Sequence, residues 1–213
     1  MAHDFPLFGD PSDSPAAELS RDAVLAAVEA RLLTTFGEPS GRAGITFLGA
    51  ERIEVLRFGP DAEGLVRYAT LGMSAAPMGD PTSMVADPVR GPRVELVLTV
   101  RGGRDDVLRT LATFAATPQV EGLVLAPGGS LDLGAPLWEG APFTSALAAE
   151  PGGLVPDLEL ADPADPVRFL PLLPMTPNEA AHKRVQGAAA LEERWLRHGT
   201  DLRDPQRRGV PLD

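Results

Sequence analysis

The stretch VRFLPLLPMTPNEAAHKRVQGAAALEERW, Val167 to Trp195, joins a strand-like apolar run to a long helical pattern across three prolines, and few other segments restrict the fold as much. Proline has no N–H to give to a ladder, so Pro171 and Pro174 predict a strand that lies at a sheet edge or stops there. Thr176 reads as a helix N-cap, with Pro177 at the first helical position and Glu179 three residues after the cap to complete a capping box. Ala181, Val185, Ala188, Leu191 and Trp195 fall on one face and are expected to point inward. Glu179 with Lys183, and Glu193 with Arg197, are spaced for ion pairs on the wet face. The small residues from Gly187 to Ala190 should let this helix come close to a sheet, and Gly199 ends it.

The sheet has to come from earlier in the chain. ITFLG, RIEVLRFG and LVRYATLG each close on a glycine, and RVELVLTVRG follows. In the last, Val94, Leu96, Leu98 and Val100 alternate with Arg93, Glu95 and Thr99, the pattern of a strand buried on one face. An earlier helix starts at Ser20 as N-cap, carries Asp22 in its first turn, and repeats Val24, Leu25, Val28, Leu32 and Phe36 until Gly37 and Pro39 end it. Another starts near Asp105 and Asp106, buries Val107, Leu108, Leu111 and Phe114, and is expected to stop before Pro118. Two further strands, VEGLVLA and FTSALAAE, are expected on either side of the Gly/Pro-rich PGGSLDLGAPLWEGAP. Residues 73–92 form a long connection without a clear element. No fixed-period repeat is present. The reading is an α+β or α/β fold, a mixed β-sheet covered by helices: a flexible arm over 1–19, one domain over 20–199 and a C-terminal tail over 200–213.

Such a chain can bury a real core: 213 residues, 44% of them apolar, is enough, although at 5% aromatics the core must rest on Leu, Val and Ala. Cysteine is absent, which removes disulfides, thiolate metal sites and cysteine nucleophiles together. No run reaches the eighteen or so apolar residues of a membrane span, and the N-terminus has no basic start, so a cytoplasmic protein is expected. The net charge of -11 argues against nucleic acid, whose recognition draws on clustered Lys and Arg; it suits a basic protein as partner, and equally a negative surface that only keeps the protein soluble.

Residues for chemistry are sparse. His3 lies in the arm, and His182 and His198, about 24 Å apart on a single helix, cannot share a metal. No G-x-S-x-G elbow exists, and Ser74 reads as a turn former. Gly128 and Gly129 lack the Gly-Lys-Ser/Thr of a phosphate loop, and GRAGITFLG opens a strand rather than a helix. Asp105/Asp106 and Glu192/Glu193 are adjacent pairs that diverge on a helix. Asp61/Glu63 and Asp80/Asp87 fall in loops without metal-loop spacing. No catalytic, cofactor or metal residue is therefore assigned. Trp138, in a loop between Asp132 and Glu139, reads either as a partner anchor or as a loop residue packed on the core.

Four segments in order, VRYATLGMSAAPM, RVELVLTV, VLRTLATFAATP and PVRFLPLLPMTPNEAAHKRVQGAAALEERW, resemble the suppressor of fused (SUFU) domain family. The chain is similar in size to bacterial members. The resemblance implies a SUFU-like α/β sandwich that binds protein without catalysis and without a cofactor. Animal members clamp an extended peptide by strand addition, and bacterial members are regarded mainly as immunity proteins of polymorphic toxin systems. The acidic partner-contacting position of the animal members falls here near Glu121. Two roles follow as expectations: an immunity or antitoxin-like factor that occludes a basic toxin domain, or a regulatory adaptor that sequesters a partner through an extended peptide. Glu121, Asp132, Trp138 and Glu139 are the candidate contact residues, and a monomer or weak oligomer is expected.

Overall fold

The computed structural model describes residues 20–47, 51–79 and 87–212. The expected arm, His3 and Asp80 lie outside the described residues. The sheet has seven strands: β1 (Gly41–Ile45), β2 (Ile53–Phe58), β3 (Leu65–Leu71), β4 (Arg93–Arg101), β5 (Ser130–Asp132), β6 (Ser145–Ala148) and β7 (Val167–Met175). Their spatial order is β1-β2-β3-β4-β7-β6-β5. Strands β1 to β4 form one antiparallel meander and β5 to β7 another. A parallel seam between β4 and β7, with Arg93 opposite Val167 and Leu98 opposite Leu172, joins the two. This is the expected mixed sheet covered by helices.

The two faces of the sheet carry different covers. Helix α1 (Arg21–Phe36) starts as expected at Ser20, whose Oγ accepts the Ala23 N–H at 3.2 Å. It presses Val24, Val28 and Leu32 against Leu56, Phe58, Ala69, Val97 and Phe169. The connection after β6 lies on the same face through Val155 and Leu158, which bridges to Val167. The opposite face carries α2 (Asp106–Glu121), whose Val107, Leu111, Phe114 and Ala115 pack with Val55, Val66, Tyr68, Leu96 and Leu98. Because both faces are covered, β4 is not buried on one face only: Arg93 and Glu95 are buried too.

Several sequence expectations change. Strand β7 is central rather than at an edge, because each proline falls where a neighbour has ended. In a strand the N–H and C=O of one residue point to the same side. Pro171 gives its carbonyl to the Ala149 N–H just past the end of β6, and Pro174 lies beyond the last β4 pair and gives its carbonyl to Arg207. Helix α2 runs through Pro118 to Glu121, and VEGLVLA is not a strand. The proline forfeits only the bond to Phe114, its ring is buried, and Gly122 in the left-handed region closes the helix. The first strand pairs over Gly41–Ile45 instead of ITFLG, since the register with β2 sets Ile45 opposite Ile53.

The last helical pattern is two helices, α3 (Pro177–Gln186) and α4 (Ala188–Arg197), broken at Gly187 with φ 91° and ψ 166°. The break rotates the expected inward stripe: Val185 is 77% exposed and Ala181 is exposed, while Leu191 and Trp195 are buried. Glu179 completes the capping box with Thr176 but is buried, not on a wet face with Lys183. The segment expected as a tail packs on the body, with the Arg203 carbonyl accepting from Arg101 and with Arg207 and Val210 buried.

Candidate functional site

One signal in the sequence organises the surface. Between Arg109 and Arg168 the chain has no Lys, Arg or His, yet it carries Glu121, Asp132, Glu139, Glu150, Asp157, Glu159, Asp162 and Asp165. Some of these are engaged. Arg168 meets Glu150 at 3.1 Å and Asp157 at 3.9 Å, and Asp165 accepts the Gly91 N–H at 2.6 Å. Glu121, Asp132, Glu139, Glu159 and Asp162 are exposed and make no ion pair among the described residues. A window of single-sign charge was there to be counted, and net charge alone hides it.

The four expected contact residues do not form one patch. Glu139 sits at the start of α2, where its N–H bonds the Asp106 carboxylate at 3.0 Å, and Glu121 is the last residue of that helix. Sixteen helical residues, about 24 Å, separate the two ends. Asp132 lies on β5, and its Oδ1 accepts the Gly134 N–H. Trp138 is only 2% exposed and packs edge-on to Phe143 with ring centroids 5.6 Å apart. The core-packed alternative is the one observed for Trp138: its loop folds under, with the Leu137 carbonyl held by the Thr110 hydroxyl at 2.6 Å.

Strand β5 is an end of the sheet. Among the described residues it pairs only with β6, and no strand lies beside its outer backbone groups. On the face toward α3, Ser130 accepts a bond from Lys183 Nζ at 3.2 Å.

Two buried carboxylates hold the frame behind this surface. Glu95 accepts four bonds: from the Thr70 hydroxyl at 2.6 Å, the Ser74 hydroxyl at 2.6 Å, and the Gly72 and Ser74 N–H groups at 3.0 Å each. Ser74 is thereby fixed in a buried 3-10 turn, Met73–Ala75, with its carbonyl taken by Arg93. Glu179 accepts from Arg207 at 2.7 and 3.0 Å, from Trp195 Nε1 at 2.9 Å, and from the N–H groups of Val210 and Thr176. Burial pushes the Glu179 carboxyl up, but the Arg207 guanidinium and the Thr176, Trp195 and Val210 donors outweigh it and hold the group below its usual range. The oxygens of both groups are occupied by structural donors.

Two loop acids are also engaged locally. Asp61 caps a turn through the Glu63 and Leu65 N–H groups and pairs with Arg67 at 2.8 Å, and Asp87 accepts from Val89 and Arg90. His182 is on α3 and His198 caps α4, so a single-helix spacing does not describe them. Among the described residues no group of three or more His, Asp or Glu is placed to hold a metal ion, and no helix is long and apolar enough to cross a membrane.

The family model for suppressor of fused protein matches residues 49–208, well over half of the chain. The chain belongs to the suppressor of fused family. Solved structures share its architecture. A SUFU homologue from Neisseria gonorrhoeae superposes with a TM-score of 0.68 at 20% identity, over 90% of this chain and 99% of that one. Sufu in the Sufu-Fu complex gives 0.60 at 11% identity over 90% and 91%. Drosophila Suppressor of Fused gives 0.60 at 11% over 88% of this chain, which corresponds to half of that protein. No curated protein matches the sequence. The SUFU fold is shared at identities too low to carry over individual contact residues, and SUFU domains are protein-interaction domains.

Proposed function

We propose that this SUFU domain works by binding a basic protein through its exposed acidic side chains, as an immunity-type factor that occludes a cognate toxin domain in the cytoplasm. The observation that carries this reading is the span between Arg109 and Arg168, which holds eight acids and no Lys, Arg or His, with Glu159 and Asp162 exposed and without an ion pair among the described residues. Fixed negative charge on a rigid frame speeds encounter with a basic partner and selects against acidic ones. The relative solved in complex with Fu supports a protein as the ligand.

Co-expression and pull-down with the protein encoded beside this one tests the reading. The partner should be basic and its association rate should fall steeply with salt. Glu159→Lys with Asp162→Lys should slow association by roughly tenfold or more at low salt. A neighbour that does not bind, or binding that ignores both salt and charge reversal, overturns the proposal.

The open edge of β5 favours a second reading, a regulatory adaptor that adds a partner's extended peptide as an eighth strand. Main-chain pairing would tolerate the charge reversals and would fail instead when Ser130, whose N–H on β5 faces away from β6, is replaced by proline.

A further inference from the structure

Between the β5 edge and α3 lies a cavity of about 90 Å³ lined by Ser130, Asp132, Ser145, Ala180, Lys183 and Arg184. Asp132 pairs directly with Ser145, and Ser130 with Leu147. Leu147 packs on Leu191 and Trp195, so the alternation of the strands turns Ser130, Asp132 and Ser145 toward the α3–α4 side. Three features of this cavity are unexplained by the fold. Ser145 is 2% exposed and its hydroxyl has no hydrogen-bond partner, which a buried donor tolerates only at a cost. Lys183 has a hydroxyl, not a carboxylate, within bonding distance, and Arg184 makes no hydrogen bond or ion pair among the described residues. Lys183 and Arg184 thus stand side by side on one wall of the cavity without a carboxylate partner among the described residues.

We propose that this cavity is a binding site for a small oxyanion, a carboxylate or phosphate group held by Lys183, Arg184 and the Ser130 and Ser145 hydroxyls. The Lys183 ammonium and the Arg184 guanidinium supply charge-assisted donors, and the two hydroxyls supply the neutral ones. Asp132 opposes an anion, but its Oδ1 is already turned to the Gly134 N–H and it makes no ion pair with either cation. The site goes beyond the acidic surface, since it selects for the opposite charge, and it opens beside the free edge of β5.

The test is titration of the full chain with inorganic phosphate and, separately, acetate, read by backbone amide shifts. Saturable shifts confined to residues 130–132, 145 and 180–184 are expected. Lys183→Ala and Arg184→Ala should each weaken binding roughly tenfold, and Asp132→Asn should tighten it. Ser145→Ala loses no bond in the free protein, so its thermal midpoint should hold or rise while its anion affinity falls. Tighter acetate binding assigns the site to carboxylates and tighter phosphate binding to phosphate groups. No saturable shift, or shifts that survive both cation substitutions, overturns the proposal, as would be seen if the cavity only held water.

Discussion

Replacement of Arg207 by methionine probes the part of the structure that joins the last thirteen residues to the sheet. The guanidinium reaches both Glu179 oxygens at 2.7 and 3.0 Å and the Pro174 carbonyl at 2.6 Å, and it stacks 4.8 Å from the Phe143 ring centroid and 5.5 Å from that of Trp195. Methionine keeps much of the apolar volume and leaves the Glu179 carboxylate buried without its cation. Removing one partner of a buried pair costs about 3–5 kcal/mol, which for a domain of this size lowers the thermal midpoint by roughly 6–20 °C. The pair on the wet face of α4, Arg197 with Glu193, supplies the control: Arg197→Met should cost less than about 1 kcal/mol.

The loss should depend on pH. In the native protein the Glu179 pKa is depressed from its ordinary 4.5, so its contribution is present above that value and fades as pH falls through the folded pKa. Without Arg207, burial raises the folded pKa, protonation relieves the orphaned charge, and the gap between the two proteins should narrow as pH falls toward about 4. Glu179→Gln added to Arg207→Met should recover part of the loss at neutral pH. Urea unfolding followed by the fluorescence of Trp195, whose indole bonds Glu179, reads all of these. A cost under about 1 kcal/mol at neutral pH, or one independent of pH, refutes the assignment of the pair as a buried clamp.

Other expectations concern single positions. Trp138→Ala should cost about 3–5 kcal/mol because the side chain is core; a stable variant that had lost only partner affinity would return Trp138 to the surface. Gly187→Ala should cost about 1–3 kcal/mol from backbone strain alone, since a Cβ there meets nothing within 4 Å; a variant with more helical circular dichroism and undiminished stability would show that the break is dispensable. Glu95→Gln cannot accept all four bonds and should cost about 2–3 kcal/mol, with faster hydrogen exchange at Gly72 and Ser74; unchanged exchange there argues against its role as the turn's anchor.

Local chemistry was read correctly wherever it acts within a few residues. The Ser20 cap, the Thr176 capping box and the β2 to β4 strands follow from propensity and spacing, and the fold class follows from their order. Apart from the break at Gly187, a local turn of the backbone that the helical spacing runs across, the competing term comes from residues far along the chain. Pro118 stays helical because the sheet beneath it packs its ring, and β7 tolerates two prolines because β6 and β4 end beside them. Glu179 is pulled inward by Arg207, 28 residues later, which no helical spacing rule can see. Of the candidate contact residues, Asp132 and Glu139 are exposed, but Asp132, expected in a loop, lies on β5, and the fate of Trp138 hinges on Phe143 and Thr110 closing its loop. The Lys183–Arg184 cavity was not legible, because it exists only once α3 meets the β5–β6 hairpin.

The parallel contact between β4 and β7 makes the two meanders mutually dependent. Its partners are separated by more than seventy residues, so a large loop must close before any of those ladder bonds can form. Neither meander has its inner margin satisfied alone: β4 would be left with a bare row of amides and carbonyls, and so would β7. A chain cut between Gly122 and Gly129 would therefore yield two sticky pieces that regain structure only by finding each other, and a ribosome must release β7 before the first half can settle.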